Sequence, residues 1–116
     1  MKQYLLASLF AGAVALPAMA DYTIIAPANP GGGWDQTART MQTVMQEDGI
    51  SPSVQVQNVP GAGGTIGLAQ FASQNSGNDQ ALIVGGYVMV GAILTNNSPV
   101  SLKDVTPIAR LTGEYE

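Results

Sequence analysis

Beyond the first twenty residues, short apolar runs alternate with helical stripes, and glycine-rich breaks separate them. Tyr22 to Ala26 (YTIIA) is a β-branched run closed by Pro27 and Pro30, the pattern of a buried strand. From Trp34 to Asp48 the apolar residues Ala38, Met41, Val44 and Met45 form a helix stripe, and Gly49 stands where a C-terminal cap is expected. Val54 to Val59 (VQVQNV) alternates at period two and predicts a second strand. Ile66 to Ala72 predicts a short helix with Ile66, Ala69 and either Ala72 or Leu68 on one side. Asn75 to Asp79 (NSGND) is a turn, and Ala81 to Val84 (ALIV) is a wholly apolar third strand. Gly85-Gly86 then leads into another apolar helical stretch from Tyr87 to Leu94.

The order strand, helix, strand, helix, strand, helix predicts an α/β layer with a mainly parallel sheet flanked by helices, because each parallel connection needs a crossover. Ligands collect at the carboxyl ends of the strands in such sheets. There the chain places Pro30-Gly31-Gly32-Gly33-Trp34-Asp35, then Pro60-Gly61-Ala62-Gly63-Gly64-Thr65, then Gly85-Gly86-Tyr87. Each run is rich in glycine and opens a helix. Glycine lets backbone approach a ligand, and helix N-termini offer unpaired N–H groups with partial positive charge. The three loops therefore predict an anion site that needs no Lys or Arg. The plainer reading, three tight turns, stands beside it.

The first twenty residues, MKQYLLASLFAGAVALPAMA, have the anatomy of a secretory signal. Lys2 supplies the positive start, Leu5 to Leu16 the apolar segment, Pro17 the break, and Ala18-Met19-Ala20 the small-x-small cleavage pattern. We expect cleavage after Ala20 and a mature start at Asp21. The apolar run is shorter than the roughly 20 residues that span a bilayer, which disfavours a membrane anchor. In a bacterium the destination is the periplasm or the outside. Residues 21–116 are expected to form one α/β lobe. The closing PIARLTGEYE stops in what reads as the approach to another strand, as expected of the N-terminal piece of a longer chain.

Composition narrows the chemistry. The 116 residues contain no His and no Cys, 10% are charged, and the net charge is -4. Ser-His-Asp and Cys-His nucleophilic sites, Cys/His zinc sites and disulfides are excluded. Four basic residues scattered at Lys2, Arg39, Lys103 and Arg110 give no footprint for nucleic acid. Gly61 to Ile66 lacks the last glycine of a dinucleotide GxGxxG, and no GxxxxGK[ST] occurs, so no nucleotide cofactor is expected.

Individual side chains carry two readings each. Asp35 is an N-cap of the first helix or a ligand contact through a water or an amine. Trp34 is a cleft wall or a packing residue on the hinge side. Thr65 is an N-cap, a hydroxyl donor to a carboxylate, or both. Arg39, a turn inside the helix, is expected to pair with nearby acids or the first-strand region. Asp35, Glu47 and Asp48 are too far apart to form an acid and base pair, so no catalytic or metal site is expected.

The motifs PGGGWDQTAR (Pro30 to Arg39), VQNVPGAGGTIGLAQFA (Val56 to Ala72) and TPIARLTGEYE (Thr106 to Glu116), preceded by a signal peptide and a strand, carry a resemblance. Together they resemble the extracytoplasmic receptors of tripartite tricarboxylate transporters, the Bug or TctC family of solute-binding proteins. That resemblance implies a periplasmic-binding-protein-like fold of type II, a Venus flytrap whose two lobes close on a carboxylated solute and deliver it to a large and a small membrane permease component. It implies that Gly32, Gly33, Trp34 and Asp35 form one contact with the ligand carboxylate and Gly63, Gly64 and Thr65 another, with Tyr87 as a further lining residue. Trp34 is bulkier than the small residue often found between the glycines and the aspartate, as in the branch that takes citrate or a similar acid. The second lobe, which chooses among substrates, is largely missing from these residues. A monomeric receptor without chemistry is expected when the chain is complete.

A net negative protein can bind an anion in this way, because N–H dipoles act at contact distance while remote charges are screened beyond roughly 8 Å at physiological salt. Two other classes remain in view: a standalone exported partner-binding module or non-functional fragment, and a secreted enzyme using Asp35 with Tyr87 or Thr65.

Overall fold

The computed structural model describes residues 21–113. The leader expected over residues 1–20 lies outside the described residues, as do residues 114–116. The chain runs β1 (Tyr22–Ala26), α1 (Gly33–Glu47), β2 (Val54–Asn58), a 3-10 turn (Ala62–Gly64), α2 (Thr65–Gln74), β3 (Ala81–Ile83), α3 (Tyr87–Thr95) and a second 3-10 turn (Leu102–Asp104). The three strands form one parallel sheet in the order β2-β1-β3. Tyr22 pairs with Val54 and Ala26 with Asn58 on one side of β1, and Thr23 pairs with Ala81 on the other. Val59 and Val84 extend the two ladders, donating to the carbonyls of Ala26 and Ile25.

This order contains a reversal. From β1 the chain crosses to β2 on one side, then returns over β1 to β3, and two right-handed crossovers of opposite direction put α1 and α2 on opposite faces. Burial follows from that. Central β1 is covered on both faces and buries Ile24, Ile25 and Ala26. Edge strand β2 alternates, with Val54 buried and Val56 half-buried while Gln55 and Gln57 face solvent. On the α1 face Ile24, Ala26, Val54 and Val84 pack with Ala38, flanked by Trp34, Met41 and Met45. Val44 is 46% exposed despite belonging to the predicted stripe. It lies about 120° around the helix from Ala38, at the margin of the buried face.

Helix α1 ends as its sequence predicts. Gly49 takes φ +70°, its N–H donates to Gln46, and the Ile50 N–H reaches back to Met45, a paired C-terminal closure that satisfies the last carbonyls. Helix α2 turns a different face inward from the predicted one. Leu68 is fully buried and Ile66 is 52% exposed. Two residues apart on a helix means about 200° of rotation, so the pair cannot share a face. Gly67 decides between them: a Cβ there would lie 2.7 Å from Pro27 Cβ and 3.0 Å from the Val59 carbonyl oxygen. The helix backbone lies against the ends of β1 and β2 at that point and carries Leu68 into the core. Helix α3 is apolar almost throughout yet buries only Met89, leaving Tyr87, Val88, Val90 and Leu94 exposed.

Candidate functional site

The three glycine runs emerge at the carboxyl edge of the sheet, on either side of the point where the strand order reverses, the position at which open α/β sheets bind ligands. Trp34 joins them. Its six-membered ring rests on Gly64, where a Cβ would fall 2.7 Å from Cζ3, and its Nε1 lies 3.2 Å from where Gly86 would carry a Cβ. One indole thus touches the loops after β2 and β3 while belonging to the loop after β1. The indole packs between these loops.

The first loop is held by a polar cluster. Gly31, at φ +87°, donates its N–H to Asp35 Oδ2 at 2.8 Å. The same oxygen accepts from Arg39 Nε at 3.0 Å. Asp35 Oδ1 accepts from Asn58 Nδ2 at 2.8 Å, and Asn58 Nδ2 donates also to the Ala28 carbonyl at 3.0 Å. Asn58 Oδ1 accepts from Arg39 Nη2 at 3.4 Å. Asp35 is buried, yet these donors hold its carboxyl down at about 2, with the Arg39 bond the largest cause, then Gly31 and Asn58. The expectation that Asp35 caps α1 is corrected here. Gly32 occupies the N-cap with no side-chain cap bond, and Asp35 stands three residues into the helix, reaching back to the Gly31 N–H. From within the first turn the carboxylate reaches back past the helix start and closes the loop before it. Arg39 pairs with Asp35, as expected, and with the second strand rather than the first.

In the second loop Gly61, Ala62, Gly63 and Gly64 all have positive φ, and Gly63 and Gly64 are left-handed, before α2 begins. Gly64 is also the N-cap of α2, in place of Thr65, which is the first helical residue. Thr65 Oγ1 donates to the Ala62 carbonyl at 2.9 Å, and Asn96 Nδ2 from the end of α3 donates to the same oxygen at 3.2 Å.

These bonds sort the sequence-predicted donors. The N–H groups of Gly32, Gly64 and Thr65 are used internally, on Asn29, Gly61 and Ala62. Among the described residues no acceptor meets the N–H groups of Gly33, Trp34 and Asp35 at the start of α1, of Gly63, or of Tyr87 at the start of α3. Gly33 and Gly63 are exposed, and nothing lies within 4 Å of a Cβ placed on Gly33. The Tyr87 side chain is 65% exposed. The edge is open rather than enclosed. A cavity of about 450 Å³ lies elsewhere, between Phe71, Asn75, Asp79, Asp104 and Ile108, and no residue of the glycine loops lines it. Its carboxylates suit it poorly to an anion. No group of three or more His, Cys, Asp or Glu that could hold a metal gathers among the described residues.

Sequence reasoning placed Gly86 in the third glycine run but missed Asn58. Asn58 shares the inward face of β2 with Val54 and Val56, and an amide at a core-facing position is a signal for a buried polar role.

No family model, curated protein or solved structure matches the chain.

Proposed function

We propose that this chain is the first lobe of a two-lobed, periplasmic-binding-protein-like (type II) receptor of the tripartite tricarboxylate transporter class. In this reading it captures a carboxylated small molecule, citrate or a related organic acid, in the periplasm and hands it to the membrane permease components. Capture is reversible and involves no bond making. The observation that carries the proposal is the set of open N–H groups at Gly33, Trp34, Asp35, Gly63 and Tyr87 on one sheet edge, organised around Trp34. Such groups at helix N-termini attract a carboxylate without any lysine or arginine.

The test removes one donor and little else. Proline is tolerated at the first position of a helix, where it deletes an N–H that has no partner in the helix. Gly33 holds that position, and Gly32 before it has φ -70° and ψ 164°, the extended geometry a residue preceding proline prefers. Gly33→Pro should leave the melting temperature unchanged or slightly raised, and weaken citrate binding by about tenfold or more, the usual range for a hydrogen bond to a charged group. Gly33→Ala keeps the N–H and should bind like the wild type. Calorimetric titrations of the exported protein with citrate and with other organic acids read the outcome. Equal affinities for Gly33→Pro and Gly33→Ala sink the site.

One observation favours a second reading, an exported module that binds a protein partner: α3 presents Tyr87, Val88, Val90 and Leu94 to solvent. In that case Leu94→Glu abolishes partner binding while no organic acid titrates.

A further inference from the structure

We propose that Asn58 is the positioning residue of the carboxylate site, a latch that sets the first glycine loop by tying it to the end of β2. The inference rests on the functional reading above and deepens it, since Asn58 carries none of the open N–H groups itself.

The geometry is specific to an amide. Two acceptors, the Ala28 carbonyl at 3.0 Å and Asp35 Oδ1 at 2.8 Å, converge on Nδ2, and one donor, Arg39 Nη2, lies 3.4 Å from Oδ1. Only an amide supplies two donors on one atom and an acceptor on the other, and turning it over would set an oxygen against two oxygens. Ala28 opens the loop after β1, and Asp35 closes it three residues into α1. Asn58 therefore grips both ends of the segment whose N–H groups at Gly33, Trp34 and Asp35 stay open. It does so from the C-terminal residue of β2, paired with Ala26 in the sheet, so its backbone is fixed independently of the loop. Asp35 completes the latch by holding the Gly31 N–H at 2.8 Å. No buried side-chain polar atom among the described residues is left without a partner, so the cluster has no slack to absorb a change at position 58.

Three variants test this on the exported protein, by citrate titration and by hydrogen exchange of the Gly31 amide. Asn58→Ala should speed Gly31 exchange and weaken citrate binding by about tenfold, because Ala28 and Asp35 both lose their donor. Asn58→Asp should be worse, since it sets a carboxylate against Asp35 with Arg39 as the one cation bonded to the pair. The exchange of roles in Asp35→Asn with Asn58→Asp restores a donor and an acceptor at the 2.8 Å contact and leaves one opposed pair of oxygens, at the Ala28 carbonyl. That double variant should recover most of the affinity lost in Asn58→Asp and slow Gly31 exchange again. Recovery reports the contact itself, whereas a residue that merely stabilised the fold would lower the urea midpoint and leave the citrate affinity of the folded protein unchanged. Unchanged affinity with faster Gly31 exchange, or unchanged exchange in Asn58→Ala, overturns the latch even where the receptor binds citrate. If the wild type binds no organic acid, the functional reading fails instead, and the Gly31 exchange rates still decide whether Asn58 holds the loop.

Discussion

Gly64 offers the sharpest test of how the three loops are joined. It has φ +92° and ψ -6°, and a Cβ there would lie 2.7 Å from Trp34 Cζ3, 3.1 Å from Cη2 and 3.0 Å from Met89 Cε. Gly64→Ala therefore carries two separable costs. Left-handed backbone at a residue with a Cβ costs about 1–2 kcal/mol. Forcing an extra carbon against a packed ring costs about 1–3 kcal/mol. Together they come to about 2–5 kcal/mol, a large share of the stability of a small domain, commonly about 5–15 kcal/mol. Trp34→Leu removes the ring atoms that the new methyl meets, so in that background Gly64→Ala should cost the backbone share and the contact with the flexible end of Met89 only. A double-mutant cycle in urea, followed by circular dichroism because Trp34 is the sole tryptophan, should give a coupling of about 1–3 kcal/mol. Equal costs of Gly64→Ala in the two backgrounds would refute the contact and, with it, the role of Trp34 in gathering the loops.

Two further outcomes follow from the core and the polar cluster. Asp35 has a folded pKa of about 2 against an ordinary 3.8, so the stability it contributes is present above its unfolded pKa and lost as pH falls through about 2. Urea midpoints of wild type and Asp35→Asn should therefore converge between about pH 4 and pH 2, and parallel curves there would exclude a charged, hydrogen-bonded Asp35. Leu68→Ala should cost about 2–5 kcal/mol as a buried truncation, whereas Ile66→Ala, half in solvent, should cost under about 1 kcal/mol. Comparable losses would mean that α2 turns the face containing Ile66 to the core.

Much of the fold was legible because period and punctuation agreed. YTIIA bounded by prolines, VQVQN at period two and the apolar ALI run are the three strands, within a residue of the expected ends. Gly49 closed α1 as the sequence implied. The face of α2 was not legible, since Ile66 and Leu68 are equally apolar and the choice depends on Gly67 lying against Pro27, a contact between distant segments. The site was legible as composition, three glycine runs at strand ends, but not as a network. Asp35 looked like an N-cap because caps are usually acidic or hydroxylic at helix starts. Its actual partners, Gly31, Arg39 and Asn58, lie 4 or 23 residues away, and only the parallel pairing of Ala26 with Asn58 brings the last within reach.

A buried carboxylate beside a proposed carboxylate site is at first sight a contradiction, and the bonding around Asp35 resolves it. Both oxygens of Asp35 are occupied, and its charge is matched by the Arg39 guanidinium at 3.0 Å. At the distance of a ligand the pair acts as a dipole rather than as an anion, and its field falls off faster than that of a lone charge. The Arg39 guanidinium uses Nε and Nη2 in the same arrangement and so braces the loop. What faces outward is the first turn of α1, with its N–H groups unspent because Asp35 bonds to Gly31 rather than capping them. An aspartate at the true N-cap would have filled those donors with its own oxygen. Moving the acid three residues into the helix keeps the loop closed and the donors free, the arrangement an anion site built without lysine requires.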